Sequence, residues 1–475
     1  MLGAATVAGC SGTSSVSRSP NPTGTPVAAP ATTGGRTRTF PADFVWGAAT
    51  SAYQVEGAAH EDGRGLSVWD TFARQRGRVR DGSTGDVSAD QYHRYRQDVA
   101  LMRQLGLRAY RFSISWPRVM PTGSGPVNQK GLDYYRRLSD ALRAADIAPF
   151  PTLWHWDTPQ VLEDRGGFTA RDTAYRFADY AHVVFEALGD TASAFLTLNE
   201  PKTVVQVGYL AGAHAPGLSD PVAAARALHH LLLAHGLSVQ AFRASGVRSR
   251  IAPVLNLAPC YPADDTEASW SQAVHRDAIE NRLYLDPIFR GRYPEDGFDA
   301  VDGDTLRAVI RPGDLRIISA PVDLLGVNYY NPVFVDEAGR TVMRYPSALP
   351  ATWLEIYPDG MYDILTRVHR DYGPRIMVTE NGRPTATARA ADGSYPDDDR
   401  IAYVRDHLVR VHRAMQDGVP IEGYLEWSLL DNFEWAEGYT QRFGMVHVDY
   451  ATQRRTPKRS AWWFRDLIAS RTLVG

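Results

Sequence analysis

From Phe40 onward the chain alternates short β-rich runs with longer amphipathic stretches, and no other feature of the sequence limits its fold as strongly. Strand-then-helix repeats are the signature of βα units wound around a parallel sheet. Strands are predicted at 44–49, 109–115, 148–153, 194–198, 250–256, 324–328, 376–379 and 423–428. Eight of them point to a single α/β unit, a closed (β/α)8 or TIM barrel whose long βα loops form a pocket. Between the first two, residues 91–105 place Tyr92, Tyr95, Val99, Met102 and Leu105 at steps of three and four, one apolar helix face, and Gly106 stops the run. In the second strand Tyr110, Phe112 and Ile114 alternate with Arg111, Ser113 and Ser115, so one face packs on helices while the other aims inward. Arg111 is then a cation inside the barrel.

The 475 residues need not mean two domains, because α/β barrels reach this size as one unit and neither an internal repeat nor a second linker is visible. Residues 11–39 are almost wholly Ser, Thr, Pro, Gly and Ala, too poor in apolar surface to offset the entropy of ordering. They read as a disordered tether ahead of a single (β/α)8 domain at 40–475. At 1–10, Val7-Ala8-Gly9-Cys10 resembles the lipobox of bacterial lipoproteins, although no Arg or Lys precedes it. That resemblance implies a lipid anchor on Cys10 and an extracellular or membrane-anchored protein; without it the reading is cytoplasmic. A formal charge of -3 gives no reason to expect nucleic acid as a partner. With only Cys10 and Cys260 there is no disulfide framework, and Cys260 reads as a small buried hydrophobe.

Two short segments carry the chemistry: Thr197-Leu198-Asn199-Glu200-Pro201 and Val378-Thr379-Glu380-Asn381-Gly382. Each is an apolar strand that delivers a Glu at its C-terminal end and then breaks at Pro or Gly. In a TIM barrel that end is the catalytic face. Two carboxyls brought there from different strands match the need of glycoside hydrolysis, one protonated to release the leaving oxygen and one ionised to attack or to activate water. Capping or salt-bridged carboxylates are the plainer reading of any single Glu, but here two stand in matched contexts. No metal site is expected: His155-Trp156-Asp157 lacks a partner at ligand spacing, and His229, His230 and His235 read as one helix face. No Gly-rich phosphate loop is present and no cofactor is implied.

Beyond the two Glu segments, the chain carries a run from Phe44 through Trp46, Gly47, Tyr53 and Gln54 to Gly57, Arg111-Phe112-Ser113-Ile114-Ser115-Trp116-Pro117, His155-Trp156-Asp157, Asn328-Tyr329-Tyr330, and a final run from Trp427 to Trp435. Taken together and in order, these segments resemble glycoside hydrolase family 1, the β-glucosidase family. The resemblance implies a retaining β-glucosidase acting on a β-glucoside or cello-oligosaccharide through a covalent glycosyl-enzyme. It implies Glu200 as acid/base and Glu380 as nucleophile, with Arg111, Asn328 and Tyr330 beside the nucleophile, the cation and hydroxyl favouring its charged form. It also implies Gln54, His155, Asn199, Glu434 and Trp435 around the terminal sugar, with Trp427 as the platform under it.

Three residues depart from the family's usual pattern: Lys202 where Trp is usual after Asn-Glu-Pro, Glu426 before Trp427, and Arg383 after the nucleophile motif. They are expected where the leaving group sits, and so to bear on aglycone preference; the plainer alternative is that Lys202 and Arg383 pair with neighbouring acids. Two rival functions remain. A 6-phospho-β-glycosidase would need Ser where Glu434 stands, and a non-catalytic carbohydrate-binding lipoprotein would require the site to be blocked.

Overall fold

The computed structural model describes residues 37–346 and 353–474. Eight parallel strands close a barrel: β1 (Val45–Ala49), β2 (Ala109–Ser113), β3 (Ala148–Trp154), β4 (Ala194–Asn199), β5 (Arg250–Asn256), β6 (Leu325–Asn328), β7 (Ile376–Asn381) and β8 (Ile421–Trp427). They pair in sequence order, and β8 returns to β1 through Gly423↔Val45 to Trp427↔Ala49. Every predicted strand lies within two residues of an observed one at either end. The barrel is ringed by α1 (Gln91–Gln104), α2 (Gln129–Ala144), α3 (Asp172–Leu188), α4 (Pro221–Ser245), α5 (Leu283–Arg290), α6 (Pro358–Tyr372), α7 (Asp398–Gln416) and α8 (Arg459–Ser470).

Local chemistry explains the element ends. In α4 the Asp220 carboxylate accepts from the backbone N–H groups of Val222 and Ala223, Pro221 takes the first helical position, and Gly246 ends the helix at φ +71°. Cap, proline and left-handed glycine each satisfy or remove an orphan backbone group. The three histidines of α4 are buried and bond separate neighbours: His229 meets Asp314, His230 the carbonyl of Phe168, and His235 the hydroxyl of Thr197. In β2 the alternation holds. Tyr110 reaches outward to Thr50 and to Gln91 of α1, while Arg111 points into the barrel and is fully buried.

One boundary differs from the sequence reading. Thr37–Thr39, assigned there to the tether, forms a strand that pairs antiparallel with Thr472–Val474. Those residues are β-branched or long-chained and find a partner at the far end of the chain, so the folded unit begins three residues earlier. Phe40 then packs against Phe44, Trp46 and His412, closing the bottom of the barrel next to β1. The rest of the tether and Cys10 lie outside the described residues. Among the described residues, no helix is long and apolar enough to cross a membrane.

Candidate active site

Both strands that carry a sequence-predicted Glu lose regular register as they reach it. In β7 the pairing shifts between Val378 and Glu380 against β6, and again before Asn381 against β8. In β4 it shifts between Leu196 and Asn199 against β5. Such irregularities bend a strand end and re-aim its side chains. Glu200 itself sits at φ +48°, ψ +61°, a left-handed conformation uncommon for a residue with a side chain, held in place by Pro201 and the turn that follows.

A continuous chain of hydrogen bonds joins the two carboxyls. The guanidinium of Arg111 bonds Oε1 of Glu380 and, at 2.6 Å, the side-chain oxygen of Asn199, while its Nε donates to Thr152 at 3.0 Å. The amide of Asn328 donates to that same Asn199 oxygen at 3.2 Å and to Oε1 of Glu200 at 2.6 Å, and is fixed from behind by the hydroxyl of Thr379. The Tyr330 hydroxyl donates to Oε2 of Glu380 at 2.8 Å. The Thr203 hydroxyl donates to Oε2 of Glu200, also at 2.8 Å.

The sequence reading holds that Arg111 and Tyr330 favour the ionised form of Glu380, and both do pull in that direction. Burial nevertheless dominates. Together with the nearby Glu200 it pushes the Glu380 carboxyl up to about 7.

The expected sugar-binding residues gather on the same face. Gln54 donates to Asn432, to the carbonyl of Phe433 and, at 3.2 Å, to Glu434, while its own oxygen accepts from Ser51. Burial and the carboxylates of Glu380, Glu437 and Glu200 push Glu434 up to about 8. His155 is buried and held well below its ordinary value by desolvation and by Arg111, so its ring is neutral. Its Nε2 accepts from the Asn199 amide at 3.0 Å, which leaves the N–H on Nδ1, an atom with no hydrogen-bond partner among the described residues. That N–H is a donor free for a hydroxyl. Trp427 stacks on His155 at 22° between ring planes, and Trp435 packs against Tyr53, Trp69, Trp156 and His155. The result is an aromatic wall beside a ring of donors and acceptors, the two surfaces a pyranose presents.

With this geometry established, comparison with known proteins places it. The model of Glycosyl hydrolase family 1 matches residues 36–473. The chain belongs to glycosyl hydrolase family 1. It is 48% identical over 441 residues to the thermostable beta-glucosidase B of Thermobispora bispora, covering 90% of each chain. With beta-glucosidase A of Acetivibrio thermocellus it shares 43% identity over 440 residues, 90% of this chain and 98% of the other. The solved beta-glucosidase of Thermotoga maritima in complex with deoxynojirimycin superposes with a TM-score of 0.86 at 42% identity, covering 91% of this chain and 99% of that one.

The three departures from the family pattern do not sit together as expected. Lys202 bonds Glu280 at 2.9 Å and Arg383 pairs with Asp399 at 3.0 Å, so both meet neighbouring acids. Glu426 is not on the leaving-group side at all. Trp427 faces the pocket, so the preceding residue on β8 faces outward, and Glu426 lies fully buried behind the barrel, 3.7 Å from Arg400 of α7. The sequence reading missed Thr203, Thr152 and Asn432 as supports of the site. Thr203 carried a faint signal, standing three residues after Glu200 at the opening of a helical turn, where side chains three apart come together. The other two are brought in from β3 and the loop after β8, which no local pattern reveals.

Proposed function

We infer that this family 1 enzyme is a retaining β-glucosidase that removes terminal non-reducing β-D-glucosyl residues, with Glu380 as nucleophile and Glu200 as acid/base. One observation carries the assignment of roles: the guanidinium of Arg111 rests on Glu380, whereas Glu200 is held by an amide and a hydroxyl, both neutral. A nearby cation favours the ionised form of the group it touches. The reaction needs the charge on Glu380 and the proton on Glu200, and that contact works toward the first.

In the first step Oε of Glu380 bonds the anomeric carbon as the glycosidic C–O bond breaks, and the Glu200 proton passes to the departing oxygen. Glycosylation removes the Glu380 charge, so Glu200 loses its proton more readily. It then takes a proton from water as the water oxygen bonds the anomeric carbon and the bond to Glu380 breaks. Asn199, tied to Arg111 and His155, stands where the 2-hydroxyl of the sugar would be read. Glu434, Gln54 and Trp435 suit its far edge, and Trp427 its face. A 6-phosphate would meet Glu434, which the nearby Glu380 and Glu437 already disfavour as an anion.

Proton NMR of the first product tests the reading: the β-anomer is expected, and early appearance of the α-anomer would overturn it. A panel of aryl β-glucosides, galactosides and fucosides with cello-oligosaccharides sets sugar and length preference. The run Val7 to Cys10 supports a lipid anchor, tested by finding the full chain in the membrane fraction and losing it there on Cys10→Ser.

A further inference from the structure

We propose that Thr203 is a positioning residue for the acid/base, a hydroxyl that stays bonded to Glu200 in both of the protonation states the reaction needs. The proposal rests on the assignment of Glu200 as acid/base.

The two oxygens of Glu200 have different partners. Oε1 accepts from Nδ2 of Asn328 at 2.6 Å, and an amide nitrogen can only donate. A proton on Oε1 would face that N–H head-on, so the working proton belongs on Oε2. The protein partner of Oε2 is the Thr203 hydroxyl at 2.8 Å. A hydroxyl both donates and accepts. When Glu200 is ionised, the Thr203 O–H points at Oε2; when Oε2 carries the proton, Thr203 offers it a lone pair until an aglycone oxygen is there to take it, and as that proton turns to the aglycone the Thr203 O–H donates to Oε2 again. Thr203 keeps its own proton throughout, and only its rotor moves. The proton that travels is the one on Glu200, outward to the aglycone oxygen and back from water.

Thr203 is itself held. Nδ2 of Asn256, the last residue of β5, approaches its hydroxyl oxygen at 3.4 Å, directed at a lone pair and not at the hydrogen. The chain here runs from the short helical turn Pro201–Thr203 into a wider π-type turn over Val204–Leu210. The left-handed backbone of Glu200 and the helical turn that follows it set residue 203, three positions on, within reach of residue 200.

Thr203→Val, nearly isosteric, removes the hydroxyl and leaves the shape. The expected signature separates the two uses of Glu200. With a dinitrophenyl β-glucoside, whose aglycone leaves without an acid, kcat and KM should fall together by about tenfold or more, since base assistance to water is impaired and the glycosyl-enzyme accumulates. Its kcat/KM should stay within about twofold, while kcat/KM for an alkyl β-glucoside drops by about tenfold or more. Azide should restore kcat on the activated substrate, and Thr203→Ser should restore both losses. A residue that merely supported the fold would lower kcat/KM on both substrates alike, along with the melting temperature; that outcome, unchanged kinetics, or failure of the serine variant to rescue overturns the proposal. Thr203→Ala gives the same reading if the valine variant does not fold. Glu200→Ala run in parallel keeps the two ideas apart: if it shows no leaving-group dependence, the assignment of Glu200 fails, whereas if it does and Thr203→Val does not, only the role of Thr203 fails.

Discussion

Glu380 and Glu200 stand at the C-terminal ends of β7 and β4, three strands apart in the ring, and both are almost fully buried. Their surroundings are nonetheless built from different chemistry. Glu380 meets a guanidinium and a phenol, Arg111 and Tyr330, whereas Glu200 meets an amide and an alcohol, Asn328 and Thr203. One wall pulls toward the charged form against the push of burial; the other is neutral and can meet a proton that comes and goes. The difference teaches that two identical side chains in one pocket acquire opposite duties from what touches them. Arg111 is the asymmetric element, because through Asn199 it is linked to both walls but bonds only one carboxylate.

Removing the charge-holding partner altogether is the severest test. Glu380→Ala should abolish turnover of aryl β-glucosides by about four orders of magnitude or more, the scale of loss when a covalent nucleophile is deleted. A loss of only tenfold in kcat/KM would mean that the charge, and not a covalent bond, is what the Glu380 wall supplies.

The opposite wall should break differently. Glu200→Ala is expected to cost about 10²- to 10⁴-fold on alkyl glucosides, the range of general acid catalysis, and far less in glycosylation by activated phenyl glucosides. Added azide should speed turnover on the activated substrate. Equal losses on both substrates with no response to azide would show that Glu200 is structural and that the two walls are not specialised.

Arg111 sharpens the comparison through pH. It lowers the pKa of Glu380 against a larger upward push from burial, which leaves the group at about 7. Arg111→Met removes the downward pull, so the acid limb of kcat/KM, below which the nucleophile is protonated, should move to higher pH by about one unit or more. The rate at the plateau should fall by about 10²- to 10³-fold, as when a preorganised charge is deleted from a site. An acid limb that does not move would assign the charge balance to Tyr330 and the backbone instead.

Much of this asymmetry is visible before any coordinates. The alternation of β2 aims Arg111 inward, and two apolar runs ending in Glu deliver both carboxyls to one end of the barrel, because strand periodicity and strand termini are local properties. What escapes a sequence reading is non-local. The net direction for Glu380 depends on how much water the closed pocket excludes, a quantity that no motif states. Thr37–Thr39 looks like tether because its partner strand is at the other terminus. Glu426 misleads for another reason: its distance in sequence from Trp427 is one, which on a strand means the opposite face.

Glu426 also supplies the smallest and most pointed contrast with Glu380 and Glu200. It is a third buried carboxyl, pushed up to about 8 mainly by desolvation, with Arg400 pulling down from 3.7 Å and Asp397 pushing further up. Among the described residues, neither of its oxygens has a hydrogen-bond partner. Because the folded-state pKa lies above the ordinary value of 4.5, folding favours the protonated form. That contribution is complete below about 4.5 and is lost as pH rises through about 8, where the carboxyl must ionise in place. Glu426→Leu removes the burden, so its melting temperature should exceed that of the parent by a few degrees at pH 8, with the gap closing toward pH 5. Aglycone preference should be unaltered, since the side chain lies behind β8 and away from the pocket. A melting temperature lower than the parent at every pH would mean instead that Glu426 is ionised and that its pairing with Arg400 outweighs the desolvation of both, because breaking a buried pair leaves an uncompensated charge. A changed aglycone preference would return Glu426 to the leaving-group side and undo the distinction between carboxyls that face the sugar and one that faces the helices.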